Sequence, residues 1–242
     1  MDASLTQPEV QPGRGLGSAS AVLWDIDGTL LTSGGVAAQA FLKAVEQVTG
    51  LSPSVEGIEF EGRIDPEIAT LLLETIDHGT DHVPAVLSTY HDLIHGDLDA
   101  LNTRTQVLPG VRELMAMLVD AQVHQTVVTG NIRSVAEAKL NAAGLVPPID
   151  VEPGGYGDSG STRVEVAESS LRALFGDQWT TRVGDCWIIG DTPRDLACAQ
   201  ALGLRCALVA TGRTPVEALQ GLGADAVLTG LEVPGDIKRL WG

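Results

Sequence analysis

Short apolar runs alternate with segments of helical spacing along most of the chain, and this alternation constrains the fold more than any other feature. The predicted strands are residues 21–24, 123–128, 149–151, 186–189, 204–209 and 226–228. The predicted helices that follow residue 105 are residues 109–120, 131–143, 163–175, 193–202 and 215–219. Strands separated by helices form parallel sheets with helices on both faces. The sequence therefore predicts an α/β fold with a Rossmann-like parallel sheet.

Residues 34–104 interrupt this pattern, because they contain helical spacing without a clear strand. The three helices predicted there are residues 36–48, 65–76 and 83–98. We therefore expect an α/β core formed by residues 21–33 and 105–242, with residues 34–104 inserted as a helical unit. Residues 1–20 are rich in Gly, Pro, Ser and Gln, which is typical of a flexible tail.

Charge and cysteine content limit the partners and the compartment. The chain has 15 Lys and Arg against 32 Asp and Glu, a net charge of −17. This charge argues against nucleic acid and anionic membranes as partners, because proteins bind both through basic surfaces. The N-terminal segment lacks the apolar run of a secretory signal, and the three cysteines form no CxxC pair. We expect a cytoplasmic protein, either a monomer or a homodimer.

Polar residues follow three of the predicted strands, at the segments Asp25–Thr29, Thr129–Asn131 and Gly190–Asp195. Ligands of open parallel sheets bind at the carboxyl ends of the strands, so we expect these segments to converge on one site. Carboxylates brought together there would repel one another unless a cation lay between them. Mg²⁺ prefers such oxygen ligands together with a substrate phosphate. The amides near Gly28 and Gly130 could seat that phosphate at helix N-termini.

These segments resemble three motifs of the haloacid dehalogenase-like (HAD) superfamily, in its phosphatase branch. The resemblance covers about residues 21–230, and its first motif reads LWDIDGTL over residues 23–30. It implies that Asp25 is the nucleophile and that Asp27 is the general acid/base, whose main-chain carbonyl also binds Mg²⁺. It also implies that Thr129 hydrogen-bonds the transferring phosphoryl group. Asp191 would ligate Mg²⁺, and Asp195 would support the metal directly or from behind its ligands.

The resemblance also suggests where substrate binds. The phosphate would lie on residues of the first two motifs, namely Gly28, Thr29, Gly130 and Asn131. The insertion has the position of the helical cap found in phosphoglycolate phosphatase-like members, and we call residues 34–104 the cap. Arg63 precedes a predicted cap helix, where it could reach a substrate carboxylate or phosphate. A solvated surface arginine is an equally good interpretation.

The third motif of the family, usually a Lys, departs from the pattern. No Lys lies between Lys139 and Lys238. We expect Lys139, in the helix directly after the second motif, to be structural or solvated. Arg163, at the start of the following helix, is the best substitute, because a guanidinium supplies the same charge with a forked geometry.

Each candidate also has a structural interpretation. Asp-Gly pairs are common in turns, Asp191 could cap a helix, and Asp195 could stabilise a first helical turn. Four cap histidines have the i,i+4 spacing of some zinc ligands, but no third ligand accompanies either pair, His78/His82 or His91/His95.

The motifs together favour a phosphatase that hydrolyses a small phosphorylated metabolite. Two alternatives remain: a phosphomutase, which needs the same acid/base, and a non-catalytic module that binds a phosphorylated ligand on the same fold. The sequence does not name the substrate.

Overall fold

The structure is a computed structural model that describes residues 15–232 together with residues 237, 240 and 241. The strands are β1 (Ala21–Trp24), β2 (Leu31–Thr32), β3 (Gln106–Val107), β4 (His124–Val127), β5 (Cys186–Gly190), β6 (Arg205–Val209) and β7 (Ala226–Leu228). The α-helices are α1 (Val36–Thr49), α2 (Asp65–Glu74), α3 (Val83–Gly96), α4 (Leu98–Arg104), α5 (Val111–Asp120), α6 (Arg133–Ala142), α7 (Arg163–Phe175), α8 (Pro193–Leu202) and α9 (Val216–Leu219).

Five parallel strands form the main sheet in the order β4-β1-β5-β6-β7. Strand β1 is fully buried between β4 and β5, and Trp24 at its end pairs with Val127 on one side and Ile189 on the other. The chain leaves β1 toward β4 on one side and later returns to β5 on the other. A crevice forms where the strand order diverges in this way, at the carboxyl ends of the strands. The α/β fold predicted from the sequence is confirmed.

The cap helices pack on a separate apolar cluster. Phe41 and Val45 of α1 contribute to it, with Leu72 of α2, Tyr90 of α3 and Leu101 of α4. Apolar residues of α6 in the core also belong to this cluster, so the cap rests on the core. The short antiparallel pair β2-β3 lies where the chain enters and leaves the cap.

Two predictions about local structure were wrong. Residues 149–151 form no strand. The Asp150 amide donates to the Gln125 carbonyl (2.8 Å), but the chain turns from residue 152 before further strand pairing forms. The predicted tail of residues 1–20 is too long, since Leu16 lies in a short 3-10 helix and is buried in the core. Residues 1–14 of that tail lie outside the described residues. In the part of the chain that the structure describes, no helix has the length and apolar character needed to cross a membrane.

Candidate active site

The three motif segments meet at the carboxyl ends of β1, β4 and β5, as expected from the strand order. Asp25 follows β1, Thr129 follows β4 after one residue, and Asp191 follows β5. All three side chains are buried. The strand register places Trp24, Val127 and Ile189 side by side, so the residues that follow them are at one level of the sheet.

Arg163 lies against Asp25, the candidate nucleophile. Its Nη2 donates to Asp25 Oδ1 at 2.7 Å and also forms a short ion pair with Asp195 Oδ1. Arg163 is the first residue of α7, and Thr162 caps that helix by accepting from the Glu165 amide. A helix start therefore fixes the position of the guanidinium. Its Nε is buried and has no hydrogen-bond partner among the described residues.

Asp195 supports this arrangement from behind the cavity. Its Oδ2 accepts from the Thr192 amide (3.0 Å) and the Thr192 hydroxyl (2.7 Å). The Asp195 amide in turn donates to Thr192 Oγ1 (3.4 Å), which completes a capping box at the start of α8. Because Oδ1 contacts Arg163, both carboxylate oxygens are occupied. The helix-start interpretation of Asp195 is therefore correct, and the same side chain also orients Arg163.

Lys139 is the residue that the sequence interpretation misjudged. Its side chain is only 3% exposed, and its Nζ lies 2.6 Å from Asp27 Oδ2 and 2.6 Å from Asn131 Oδ1. It is therefore neither solvated nor remote from the site. Lys139 lies in the last turn of α6, and Asn131 precedes that helix. The contact of Lys139 with Asp27 joins residues 112 positions apart, so no local pattern signalled it.

A hydrogen-bond network joins Lys139 to the second motif. Asn131 Nδ2 donates to Asp27 Oδ2 at 2.7 Å and to Thr129 Oγ1 at 2.9 Å. The network places the candidate acid/base, the candidate phosphoryl ligand and a buried ammonium group in fixed relation. Within the described residues, Asp27 Oδ1 has no such partner, and the Asp27 side chain is 44% exposed.

Thr29 has a different position from the one predicted. It is fully buried, does not line the cavity and donates from Oγ1 to Asp191 Oδ1 at 3.3 Å. Thr29 therefore orients Asp191 instead of contacting substrate. Gly28 beside it has a left-handed φ of +83°, and a Cβ there would lie 2.5 Å from Asp191 Oδ2. Glycine is thus required for Asp191 to approach the first motif.

The carboxylates create an excess of negative charge. Burial, together with the neighbouring carboxylates of Asp25 and Asp195, raises the pKa of Asp191. Burial also raises the pKa of Asp25, and Asp195 adds to this effect while Arg163 opposes it. Ligand oxygens of Asp25, Asp191 and Asp195 lie within 4.8 Å of one another. With Asp27 included, the site has four carboxylates and two cations, so one divalent cation would balance its charge.

A cavity of about 830 Å³ extends from these residues to the cap. The predicted site residues that line it are Asp25, Asp27, Gly28, Arg63, Thr129, Gly130, Asn131, Arg163 and Asp191. Both sides of a reacting ester could therefore be enclosed, with phosphorus at the sheet edge and the leaving group at the cap.

The haloacid dehalogenase-like hydrolase family model matches residues 22–200, about three quarters of the chain. The chain belongs to this family. The predicted family, its phosphatase branch and the enzyme class of hydrolase are confirmed. The chain is also 26% identical over 202 residues to PpaX, a protein of Caldanaerobacter subterraneus subsp. tengcongensis that is provisionally named a pyrophosphatase. That match covers 83% of this chain and 86% of PpaX.

Solved structures show the same fold. A predicted phosphatase from Clostridium acetobutylicum superposes with a TM-score of 0.70 at 18% identity, over 91% of this chain and 97% of that one. A β-phosphoglucomutase from Clostridium difficile has a TM-score of 0.70 at 14% identity, over 92% of this chain and 97% of that one. Both phosphatases and mutases therefore share this architecture.

Within this HAD-family chain, the cap contacts the second motif directly. The Asp65 amide donates to the Gly130 carbonyl at 2.7 Å, and Asp65 Oδ2 accepts from the Ile132 amide at 2.8 Å. A Cβ on Gly130 would collide with the Arg63 carbonyl, so glycine permits this close approach. Sequence reasoning missed Asp65, whose side chain is buried where the cap meets the second motif.

Arg63 lines the cavity, as predicted, but its guanidinium is already engaged by the cap. It forms a short ion pair with Glu67 and donates from Nε to the Glu59 carbonyl at 2.6 Å. The cap histidines contact one another in pairs, with ring centroids 5.0 Å apart for His78 and His82. No described group of three metal-ligating side chains includes a histidine.

Proposed function

We propose that this protein is a Mg²⁺-dependent phosphatase that hydrolyses a small phosphomonoester through an aspartyl-phosphate on Asp25. The contact between Asp25 Oδ1 and Arg163 at the end of the cavity carries the proposal. A buried carboxylate facing a substrate-sized cavity, with a cation beside it, suits attack on a phosphoryl group.

The reaction has two steps. Asp25 attacks phosphorus, the bond to the ester oxygen breaks, and Asp27 donates a proton to that leaving oxygen. Asp27 then removes a proton from water as the water oxygen attacks phosphorus, which releases phosphate and restores the Asp25 carboxylate. Asp27 ends each cycle with the proton that it needs for the next.

Other residues position the groups that react. Arg163 lines the cavity and would offer its guanidinium charge to the phosphoryl oxygens. Thr129 Oγ1 would hydrogen-bond the phosphoryl group, and the amides around Gly28 and Gly130 would add donors. Lys139 and Asn131 hold Asp27 Oδ2, which leaves Oδ1 for proton transfer.

The residues present fit the Mg²⁺ that the family implies, because buried carboxylates there outnumber cations. Asp25, Asp191 and the main-chain carbonyl of Asp27 would hold the ion, and Asp195 would support it through Arg163 and Thr192. When bound, Mg²⁺ supplies charge that offsets the phosphoryl oxygens and the carboxylates.

Phosphate release from a panel of phosphomonoesters, with Mg²⁺ and with a chelator, tests this function. We expect release with Mg²⁺, loss with the chelator, and loss in Asp25→Asn. Release by Asp25→Asn at the wild-type rate would exclude the mechanism. Isomerised hexose phosphate without phosphate release would indicate the phosphomutase alternative, and ligand-induced stabilisation without turnover would indicate the binding module.

We also propose a cytoplasmic location. The three cysteines are buried and free of disulfides, as expected where thiols stay reduced. Fractionation of the producing cells would test this, and recovery outside the cytoplasmic fraction would contradict it.

A further inference from the structure

The cap side of the cavity has an apolar wall. It is formed by Phe41 and Leu42 of α1, Ile58 and Phe60 of the loop that follows, and Ile68 and Leu72 of α2. Phe41 packs on Tyr90, with ring centroids 4.5 Å apart, so the wall is continuous with the packed interior of the cap. With phosphorus at Asp25, a leaving group would lie along this wall.

Two carboxylates on the cap side are already bonded within the protein. Asp65 Oδ2 accepts from the Ile132 amide, and Glu61 pairs with Arg213 at 2.9 Å. Tyr90 adds one hydroxyl, which cannot match the several hydroxyl groups of a hexose. Hydroxyl groups buried without partners are costly, so the wall disfavours polyol leaving groups.

The cations of the cavity wall leave none free for the leaving group, because Arg163 and Lys139 serve the phosphoryl group and Asp27 in the proposed mechanism. Each of the four has a carboxylate partner within ion-pair distance: Arg63 with Glu67, Arg213 with Glu61, Lys139 with Asp27, and Arg163 with Asp25. A second phosphate or a carboxylate on the leaving group would find no unpaired cation among these residues. It would also approach the Glu61 carboxylate, which opposes its binding.

We infer that the substrate is a phosphomonoester with an uncharged, mainly apolar leaving group that packs against the cap wall. This inference rests on the proposed phosphatase function. It separates this chain from a pyrophosphatase, since pyrophosphate has a second charged phosphate in place of an apolar group.

The test measures kcat/KM at saturating Mg²⁺ for ethyl, butyl and hexyl phosphate, hexose 6-phosphate, phosphoglycolate and pyrophosphate. We expect kcat/KM to rise roughly three- to fourfold per methylene along the alkyl series, the ratio given by burial of one methylene group. Hexyl phosphate should exceed the hexose, carboxylated and diphosphate compounds. A flat alkyl series, or a preference for phosphoglycolate or pyrophosphate, would overturn the inference.

Two matched lysine variants test whether the cavity lacks a free cation for a charged leaving group. Val55 lines the cavity and Leu51 does not, although both lie in the same loop and each is 47% exposed. Val55→Lys should raise the kcat/KM ratio of phosphoglycolate to butyl phosphate about two- to fivefold, the order expected for one new ion pair at a half-exposed position. Leu51→Lys should leave the ratio unchanged. An unchanged ratio in Val55→Lys, or equal shifts in both variants, would contradict the inference. Absence of turnover with every ester would instead contradict the phosphatase proposal itself.

Discussion

At the residue scale, two cations divide the acidic site between them. Arg163 pairs with Asp25, and Lys139 pairs with Asp27. The family usually places a Lys where this chain has Arg163, so the second cation adds to the expected pattern. The pairing assigns one positive charge to the proposed nucleophile and one to the proposed acid/base.

Replacing Arg163 should impair phosphoryl transfer without unfolding the protein. Arg163→Met should lower kcat/KM by about 10²- to 10³-fold, the usual effect of removing a group that stabilises transition-state charge. Arg163→Lys should recover part of this loss, because it restores charge without the forked geometry. Arg172 lies on the same helix, where it pairs with Glu168 and lies over the Trp179 ring outside the cavity lining, so Arg172→Met is the control. Similar activity in Arg163→Met and Arg172→Met would refute the role of Arg163.

Lys139 should affect the proton-transfer step in particular. Lys139→Met removes a charged partner of Asp27 and should lower kcat/KM by about 10- to 100-fold with alkyl phosphates. The loss should be smaller with aryl phosphates, whose leaving oxygens need less protonation. Exposed Lys43 provides the control variant, Lys43→Met. A loss that is identical for the two ester classes would show that Lys139 does not act through Asp27.

At the scale of elements, α2 connects the cap to the second motif through Asp65. Burial raises the pKa of Asp65 to about 7, although the Ile132 amide and Lys139 oppose this shift. The folded-state pKa exceeds the unfolded value of 3.8, so the folded protein retains a proton that the unfolded chain releases. The free energy of unfolding therefore contains a term that is present at low pH and is lost as pH rises toward about 7.

Asp65→Asn should remove that pH-dependent term, because the amide oxygen can still accept from Ile132 and carries no charge. We expect Asp65→Asn to gain Tm relative to the wild type as pH rises from about 5 to about 8, by at least roughly 2 °C. Thermal unfolding of both proteins without metal measures this difference. A difference that stays constant over that pH range would disprove the ionisation of buried Asp65.

The strands and helix starts that could be predicted are those determined by the pattern of neighbouring residues in the sequence. Buried strands such as β1 and β5 and helix starts such as that of α7 follow from neighbouring residues, so the convergence of Asp25, Asp191 and Arg163 could be anticipated. The environment of Lys139 depends on the packing of α6 against the first motif, because Lys139 and Asp27 are 112 positions apart in sequence. For the same reason, neither the inward position of Thr29 nor the burial of Leu16 could be read from sequence.

At the scale of the molecule, the net charge of −17 is compatible with phosphate binding because four of the cations line the cavity: Arg63, Lys139, Arg163 and Arg213. The buried carboxylates still leave an excess of negative charge that a divalent cation would balance. Metal binding should therefore appear as a gain in stability.

Mg²⁺ at about 100 times its Kd should stabilise the wild type by about 2.7 kcal/mol, which corresponds to a Tm increase of roughly 5–10 °C. Asp191→Asn should show a much smaller increase, and thermal unfolding with and without Mg²⁺ measures both. An equal Mg²⁺ effect in the two proteins would place the ion elsewhere.

The covalent intermediate is the central claim, and intact-protein mass spectrometry after an acid quench tests it most directly. Asp27→Asn should slow the hydrolysis of the intermediate, so this variant with a reactive aryl phosphate and Mg²⁺ should gain the mass of one phosphoryl group. Peptide mapping should place that group on Asp25, and the double variant with Asp25→Asn should gain none. A phosphoryl group found on another residue, or sustained phosphate release by Asp25→Asn alone, would contradict the account.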